Sequence, residues 1–239
     1  MMQDATNARG DELLALVLAG DQSGISNDLR KEFYRGYPIQ KLTTLLDSDD
    51  ERALESGAWI ASELAENARP ILSHLRPLFD YPNTRIRFHS IQTVLTAATD
   101  ENGDIVGEAV SLIADDERPV RKMAFELIAR ADRSPLVASV SYVKDPKIAG
   151  LLEWVLEVEG ESRDDDEIAS RLRESNGLGQ VFAAVAAARV YRRNPDYLQL
   201  AASLSEGDTQ SLAASELAWL SKLDEQAQRR RERAERRDG

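Results

Sequence analysis

Cysteine is absent from this sequence of 239 residues, and histidine occurs only twice. Without cysteine the chain can form no disulfide, thiolate metal site, thiol nucleophile or iron–sulfur cluster, and two imidazoles leave little for a histidine-rich metal site. No motif supplies a catalytic group in their place. We therefore predict a protein without a bound metal, a cofactor, catalytic residues or enzymatic activity.

Long apolar segments are lacking as well. No run of about 18 apolar residues, the length needed for a membrane-spanning helix, occurs in the chain. Residues 1–7 contain neither the basic region nor the apolar region of a secretory signal peptide. We therefore expect a cytoplasmic protein that does not associate with membranes.

The charge balance is acidic, with 42 Asp and Glu against 30 Lys and Arg and a net charge of −12. Residues 227–239 carry six arginines and three acids, a net charge of +3, which leaves −15 on the rest of the chain. An acidic body repels the phosphate backbone of nucleic acids and attracts basic proteins. Nucleic-acid binding is therefore not expected, and a basic protein is the predicted partner.

A sequence unit recurs with a nearly constant period. Residues 45–49, 78–82 and 112–116 each contain an apolar pair followed by an acidic turn, at spacings of 33 and 34 residues. Each turn is followed by a stretch with apolar residues at helical spacing, and in the third unit these are Val120, Met123, Ala124, Leu127 and Ile128. A fixed period of this length indicates stacked helical hairpins.

The pattern continues less regularly beyond residue 130, with turns at residues 144–146, 175–177 and 205–208. No stretch alternates with period two for long enough to indicate a strand, so the sequence predicts an all-α solenoid of about six hairpins. We assign three regions: residues 1–37, a loose N-terminal tail and helical cap; residues 38–220, the repeats; and residues 221–239, a charged, Arg-rich helical tail.

Residues 112–124 resemble the HEAT repeat, whose units contain an apolar pair, an acidic turn, a Val-Arg pair and a small residue. Residues 78–90 match the same pattern, whereas the first unit has Leu54-Glu55 where the Val-Arg pair belongs. The resemblance implies a right-handed solenoid. It also implies a ladder of polar contacts between neighbouring repeats, which joins Asp80 or Asp115 to Arg87 and Arg121.

Glycine and proline mark expected irregularities. Gly36, Gly57 and Gly103 are expected to interrupt helices locally, and Pro77 is expected to kink the helix that contains it. The Arg-rich tail has two pairs of opposite charge at helical spacing, Glu225–Arg229 and Glu232–Arg236.

Several patterns that are associated with chemistry have a simpler structural interpretation. His74 and His89 are interpreted as partly exposed helix residues. Residues 100–104 lack the glycine position of a calcium-binding loop, and residues 177–179 lack the strand and third glycine of a dinucleotide site. The acidic run at residues 164–167 is interpreted as a solvated loop at a helix N-terminus.

In a HEAT-like solenoid the second helix of each hairpin lines the concave surface. Glu55, Trp59 and Glu63 lie four residues apart and therefore on one stripe of such a helix. Comparable positions occur further along the chain, and we predict a partner-binding surface of exposed residues on an acidic concave face: Glu55, Trp59, Glu63, Glu126, Glu153 and Trp154.

Small acidic solenoids of this kind resemble bacterial immunity proteins, which cover the active site of a cognate toxin. This resemblance implies a non-enzymatic antitoxin that binds a basic toxin through its acidic face. The alternatives are a general HEAT-repeat adaptor or scaffold, and a HEAT-like enzyme such as a bilin lyase or a DNA glycosylase. The HEAT repeat itself specifies a scaffold and no activity.

Overall fold

The computed structural model describes residues 2–20, 24–160, 166–204 and 207–238, with side chains described for those of them between residues 7 and 233. Every regular element within these ranges is a helix, which confirms the predicted all-α class. The helices form two compact units, Met1–Ala149 and Gly150–Gly239. The boundary lies inside residues 38–220, which the sequence had assigned to one repeat region.

The first unit is built from antiparallel helical hairpins. Its 3₁₀ segments are Ile39–Leu42, Ala65–Leu78, Asp100–Asn102, Leu112–Ala114 and Val140–Tyr142. Its α-helices are α1 (Met2–Leu18), α2 (Ile25–Tyr34), α3 (Thr43–Leu46), α4 (Glu51–Glu63), α5 (Thr84–Ala97), α6 (Gly103–Ser111), α7 (Arg118–Arg130) and α8 (Arg133–Ser139).

These elements stack in two layers, as a solenoid requires. The first-helix layer consists of residues 39–46, 65–78, 100–114 and 133–142, which contact one another in that order. The second-helix layer consists of α2, α4, α5 and α7, which also lie side by side. Fully buried side chains such as Leu45, Ile86 and Leu127 fill the space between the layers.

Polar caps in the turns fix where the second helices begin. The Asp50 carboxylate accepts hydrogen bonds from the backbone N–H groups of Arg52 and Ala53, both at 2.9 Å, at the start of α4. The Asn83 side chain accepts from Arg85 N–H at 2.9 Å at the start of α5. Such caps satisfy donors that have no partner inside the helix.

The segment Ala65–Leu78 is a 3₁₀ helix and contains both Pro70 and Pro77. A proline inside an α-helix removes a hydrogen bond and its ring clashes with the carbonyl four residues earlier, whereas 3₁₀ winding bonds residues three apart. The kinked α-helix expected around Pro77 is therefore replaced by a long 3₁₀ segment.

Two of the three glycines expected to interrupt helices instead allow helices to approach closely. Gly57 lies inside α4, where an added Cβ would be 2.7 Å from Leu45 Cβ. Gly103 begins α6, where an added Cβ would be 2.5 Å from the carbonyl oxygen of Ala138. The expectation is confirmed only at Gly36, whose φ of +101° lies just beyond the end of α2.

Residues 2–10, expected to be a loose tail, form the first turns of α1. Gly10 packs so closely on Tyr37 that an added Cβ would be 2.3 Å from the ring. The Tyr37 hydroxyl donates to Asp11 Oδ1 at 2.7 Å. The N-terminal cap is therefore held to the residues that follow α2 by packing and by a hydrogen bond.

The second unit contains most of α9 (Pro146–Gly160), followed by α10 (Asp166–Glu174), α11 (Gly177–Arg189), α12 (Asp196–Ser203) and α13 (Asp208–Asp238). Helix α11 contacts α10, α12 and α13, and its residues 181–188 are all buried. Alanine makes up five of these eight residues, and its small side chain permits neighbours on every side.

The Arg-rich tail continues α13 and is exposed as far as its side chains are described. The predicted pair between Arg229 and Glu225 is confirmed at 3.6 Å. The predicted Glu232–Arg236 pair, residues 164–165 of the acidic run and residues 205–206 of the last turn lie outside the residues or side chains that the structure describes.

We expect Gly57→Ala to lower the free energy of unfolding by about 1 to 3 kcal/mol, because the added methyl group overpacks the contact with Leu45. Gly150→Ala is the matched control, since Gly150 also lies inside a helix but has nothing within 4 Å of the added Cβ. That variant should be neutral or up to about 1 kcal/mol more stable. Urea unfolding monitored by circular dichroism compares them, and equal effects would contradict the packing argument.

Candidate functional site

The six residues predicted to bind a partner do not lie on one face of one unit. Glu55, Trp59, Glu63 and Glu126 lie in the second-helix layer of the first unit, whereas Glu153 and Trp154 lie in the part of α9 that belongs to the second unit. Glu63 and Glu153 are exposed, and Glu55 and Trp59 are half-buried.

The exposure predicted for Glu126 and Trp154 is wrong. The Glu126 side chain is only 12% exposed, because it lies between Lys122 at 3.5 Å and Arg130 at 3.3 Å on the same helix. Trp154 is 8% exposed, and the guanidinium carbon of Arg171 lies 4.0 Å from the centre of its ring. Intrahelical ion pairing and cation–π packing therefore cover two positions that helical spacing alone placed at the surface.

Trp59 and Glu63 belong to a cluster that also includes Arg30 and Tyr34 from α2, and we name these four residues the Arg30 cluster. The guanidinium carbon of Arg30 lies 5.7 Å from the ring centre of Tyr34 and 5.9 Å from that of Trp59. Its Nη1 lies 3.6 Å from Glu63 Oε2. One arginine thus joins both aromatic rings to the carboxylate.

The Arg30 cluster is held in place by further hydrogen bonds. Asn27 Oδ1 accepts from Arg30 Nε at 3.3 Å and from Nη2 at 3.0 Å, and the Tyr34 hydroxyl donates to the Glu63 carbonyl oxygen. Tyr34 nevertheless remains 54% exposed. The cluster therefore offers solvent an ordered surface of an aromatic ring and a fixed cation.

Glu55 takes part in a polar contact between repeats. Its carboxylate accepts from Arg85 Nη1 at 3.1 Å and from Asn83 Nδ2 at 3.3 Å, and Asn83 Nδ2 also donates to Glu51 at 2.8 Å. In the first repeat Glu55 stands where an arginine is expected, and the roles of acid and base are exchanged. The acids lie on α4, and the donors Asn83 and Arg85 lie at the start of α5.

The ladder contact implied between Arg87 and Asp115 is confirmed. Arg87 Nε and Nη2 donate to the two carboxylate oxygens at 2.8 and 3.0 Å, and both side chains are nearly buried, at 11% and 9% exposure. Arg87 Nη1 also donates to the carbonyl oxygens of Tyr81 and Pro82. Arg121 makes the same two carbonyl contacts one repeat later, with Asp115 and Asp116.

The second-helix layer is not acidic, which corrects the prediction of an acidic face in the first unit. Helices α2, α4, α5 and α7 carry nine basic and six acidic residues, a net charge of +3. The acids of this unit are concentrated instead in the turns inside the hairpins. Residues 47–50, 79–83 and 115–117 contain seven acids and no base. The reason is that carboxylates are favoured at helix N-termini, where they cap N–H groups and complement the helix dipole.

His89 lies near the hydroxyl group of Ser62, and the arrangement does not form a nucleophile and base. Ser62 Oγ donates its proton to the carbonyl oxygen of Trp59 at 2.8 Å, so it can only accept from His89 Nδ1, 3.3 Å away. Gln92 Oε1 is a second acceptor for Nδ1 at 3.3 Å. Both contacts are satisfied when Nδ1 carries the hydrogen, and in that tautomer His89 donates to Ser62 and does not act as its base.

His74 is paired with a carboxylate that the sequence did not identify. Its Nδ1 lies 3.0 Å from Asp47 Oδ1, and both side chains are open to solvent, at 37% and 57% exposure.

Among the described residues, no group of three or more His, Asp or Glu side chains is arranged to hold a metal ion. Within the same residues, no helix has the length and apolar character needed to cross a membrane.

The second unit contains a buried ion pair. Arg189, 4% exposed, contacts the Glu159 carboxylate at 2.8 Å, and Arg193 donates to the carbonyl oxygen of Val158 at 2.9 Å. Buried pairs of this kind fix geometry more than they add stability. We assign them a structural role in holding α9 to α11 and to the residues that follow it.

Sequence reasoning missed Arg30 and Tyr34 because residues 11–35 were assigned to a structural cap. Their spacing of four residues on a helix places them on one face, which was the available signal. No sequence signal indicated that this face lies beside Trp59.

We expect Arg87→Ala to lower the free energy of unfolding by about 3 kcal/mol, because the variant leaves a nearly buried carboxylate and two carbonyl groups without their donor. Arg85→Ala is the control, since the Arg85 side chain is 77% exposed and its pair with Glu55 should contribute at most about 1 kcal/mol. Chemical denaturation measures both, and an equal loss in the two variants would argue against the ladder as a stabilising contact.

Burial lowers the pKa of His89 below its ordinary value of 6.5, against the opposing effects of Gln92, Glu55 and Glu63. The unfolded chain therefore binds a proton that the folded chain resists, so stability is lost as the pH falls below about 6.5. We expect the wild-type protein to lose more stability between about pH 7 and about pH 5 than His89→Gln. Parallel pH profiles of unfolding free energy for the two proteins would contradict this.

Comparison with known proteins gives structural neighbours but no family. No protein-family model and no curated protein matches the sequence. The chain is similar to two engineered proteins solved as structural-genomics targets, at 15% and 14% identity over 75% and 87% of this chain and 95% and 67% of theirs, with TM-scores of 0.42 and 0.49. It is also similar to a designed armadillo repeat protein, at 14% identity over 76% of this chain and 99% of that chain, with a TM-score of 0.42. The helical-repeat fold rests on the helices and contacts described above, and membership of the HEAT family stays a prediction.

Proposed function

We propose that this chain is a non-enzymatic helical-repeat scaffold that binds a partner protein in the cytoplasm through the second-helix layer of its first unit. The observation that carries the proposal is the Arg30 cluster, in which an arginine, a tyrosine and a tryptophan are packed together at the surface. These three residue types contribute most often to the binding energy of protein interfaces.

The rigidity of the Arg30 cluster favours binding. The Arg30 side chain is 24% exposed and is held by Asn27 and Glu63, so little of its conformational freedom remains to be lost in a complex. Tyr34 offers a large exposed ring with few rotatable bonds. The cluster therefore has the composition and the rigidity of an interface centre.

The second-helix layer is large enough for a specific interface. Helices α4, α5 and α7 have 13 or 14 residues and are about 20 Å long, α2 has 10 residues and is about 15 Å long, and four helices packed about 10 Å apart span roughly 40 Å. The layer therefore has an area on the order of 800 Å², which is about what each partner contributes to a standard interface.

A catalytic role has less support. The Ser62 hydroxyl proton is committed to a backbone carbonyl, and the neighbouring His89 nitrogen is a donor. This arrangement offers no activated nucleophile, which supports the proposal that the protein acts by binding alone.

Within this proposal the partner we favour is a basic protein, and a bacterial toxin neutralised by a cognate immunity protein is the specific form of that hypothesis. The net charge of −12 supports a basic partner. The second-helix layer does not supply that charge, so electrostatic steering would come from the acidic turns at residues 47–50 and 115–117. A general adaptor is the alternative. Binding to the product of the adjacent gene, and relief of its toxicity on co-expression, would favour the immunity role over the adaptor.

We expect Tyr34→Ala to weaken partner binding at least about tenfold, because truncation of an interface-centre tyrosine typically costs more than 1 kcal/mol. Tyr142→Ala is the matched control, because Tyr142 is 53% exposed but lies in the first-helix layer. Partners captured from the native cell by the wild-type protein are compared quantitatively with those captured by each variant, and the partner's affinity is then measured by calorimetry.

Circular dichroism verifies that both variants are folded. Loss of a partner with Tyr34→Ala and its retention with Tyr142→Ala would support the proposed surface. A partner captured equally by Tyr34→Ala and the wild-type protein, or no partner enriched by the wild-type protein over Tyr34→Ala, would contradict it.

A further inference from the structure

A pocket of about 350 Å³ opens on the edge of the first unit where the connections between hairpins meet. It is lined by the start of the segment Ala65–Leu78, by the end of α5 and by the residues between α7 and α8. We name it the inter-repeat pocket. It lies on the opposite edge of the repeats from the acidic turns, since it involves the connections between hairpins and not the turns inside them.

The inter-repeat pocket has a mixed lining, in which apolar side chains lie beside polar and charged ones. Val94 and Val106 are 1% exposed, Leu127 is fully buried, and Ala131 is 7% exposed, so these side chains belong to the core and present only a small part of their surface to the pocket. Leu95, Ala98 and Pro135 also belong to this lining. A ligand group in contact with it would have to be apolar to gain from burial.

The charged residues that line the pocket are three acids and one base. Glu66, Asp100 and Asp132 are exposed and make no hydrogen bond or ion pair with another described residue, and they are not close enough together to form a metal site. Arg69 is fixed at one side by a hydrogen bond from its Nε to the carbonyl oxygen of Ala97 at 3.0 Å. The charged residues of the pocket therefore sum to −2 beside a partly apolar lining, which is complementary to a cation on an apolar stem.

The pocket is connected to the proposed binding surface. Glu66 and Arg69 also line a second groove of about 660 Å³, which is bordered by Phe33, Tyr34 and Tyr37. Tyr34 belongs to the Arg30 cluster. A partner segment that contacts Tyr34 and follows this groove therefore meets the rim of the inter-repeat pocket at Glu66 and Arg69.

We propose that the inter-repeat pocket binds a long basic side chain, lysine or arginine, of the partner protein. The methylene stem packs on the apolar lining, and the charged group reaches the carboxylates of Asp100 and Asp132, away from the like charge of Arg69. Lysine and arginine commonly bury their stems while the charged group stays at the solvent boundary. This inference rests on the proposed function and adds the chemistry that selects a basic partner.

The test uses the full chain with ¹³C-labelled methyl groups and, as probes, N-acetyl-arginine methylamide and N-acetyl-lysine methylamide. The neutral counterparts are the corresponding citrulline and Nε-acetyl-lysine compounds. We expect the charged probes to shift the methyl resonances of Val94, Leu127 and Ala131, and to bind about fivefold more tightly than the neutral ones. The double variant Asp100→Asn/Asp132→Asn should abolish that difference.

The double variant Asp80→Asn/Asp116→Asn is the matched control, because it removes the same charge from the turns inside the hairpins. It should leave probe binding unchanged. Equal binding of charged and neutral probes, or an equal loss in both double variants, would overturn the inference. If a partner is captured through Tyr34 but the probes do not shift these methyl resonances, the proposed function stands. In that case only the binding of a basic side chain in the pocket is refuted. Specific probe binding without any captured partner would support the pocket and refute the proposed function.

Discussion

The apolar side of each hairpin in the first unit can be covered only by the neighbouring hairpin, and this constraint governs the rest of the structure. Close approach is possible because glycine occupies the contact points. An added Cβ would be 2.7 Å from Leu45 at Gly57, 2.5 Å from Ala138 at Gly103 and 2.7 Å from Tyr142 at Gly107. The spacing of the helices in turn sets whether Arg87 reaches Asp115, whether Arg30 reaches Trp59, and how wide the inter-repeat pocket is.

The distribution of charge follows from the same architecture. Second helices begin at turns inside the hairpins, and carboxylates accumulate there: Asp50 caps α4, and Asp115 accepts the backbone N–H of Glu117 just before α7 begins. The helices themselves carry the arginines that reach back to the turns, as Arg87 and Arg121 do. An acidic protein can therefore have a second-helix layer of net positive charge, and any selection of a basic partner has to come from its edges.

Much of the fold was predictable from local signals. The recurring apolar pair and acidic turn located the hairpins of the first unit. The resemblance to the HEAT repeat implied a contact of Arg87 with Asp80 or Asp115, and the structure shows it with Asp115. The 3₁₀ conformation of residues 65–78 was harder to predict from the sequence, because Pro70 and Pro77 act together and neither alone requires a 3₁₀ segment. The division at Ala149 could not be predicted from the sequence, because the fourth predicted hairpin, with its turn at residues 144–146, continues across it.

The sequence by itself determined that the chain is helical and where the hairpins of the first unit turn, because periodicity, caps and a spacing of 33 to 34 residues are properties of the linear chain. Only the tertiary structure decided which polar residues are covered and which meet. Glu126 is covered by its helical neighbours and Trp154 by Arg171, while Arg30 meets Trp59 across two helices. Helical spacing specifies a face of one helix, but the neighbour on that face depends on how the hairpins stack.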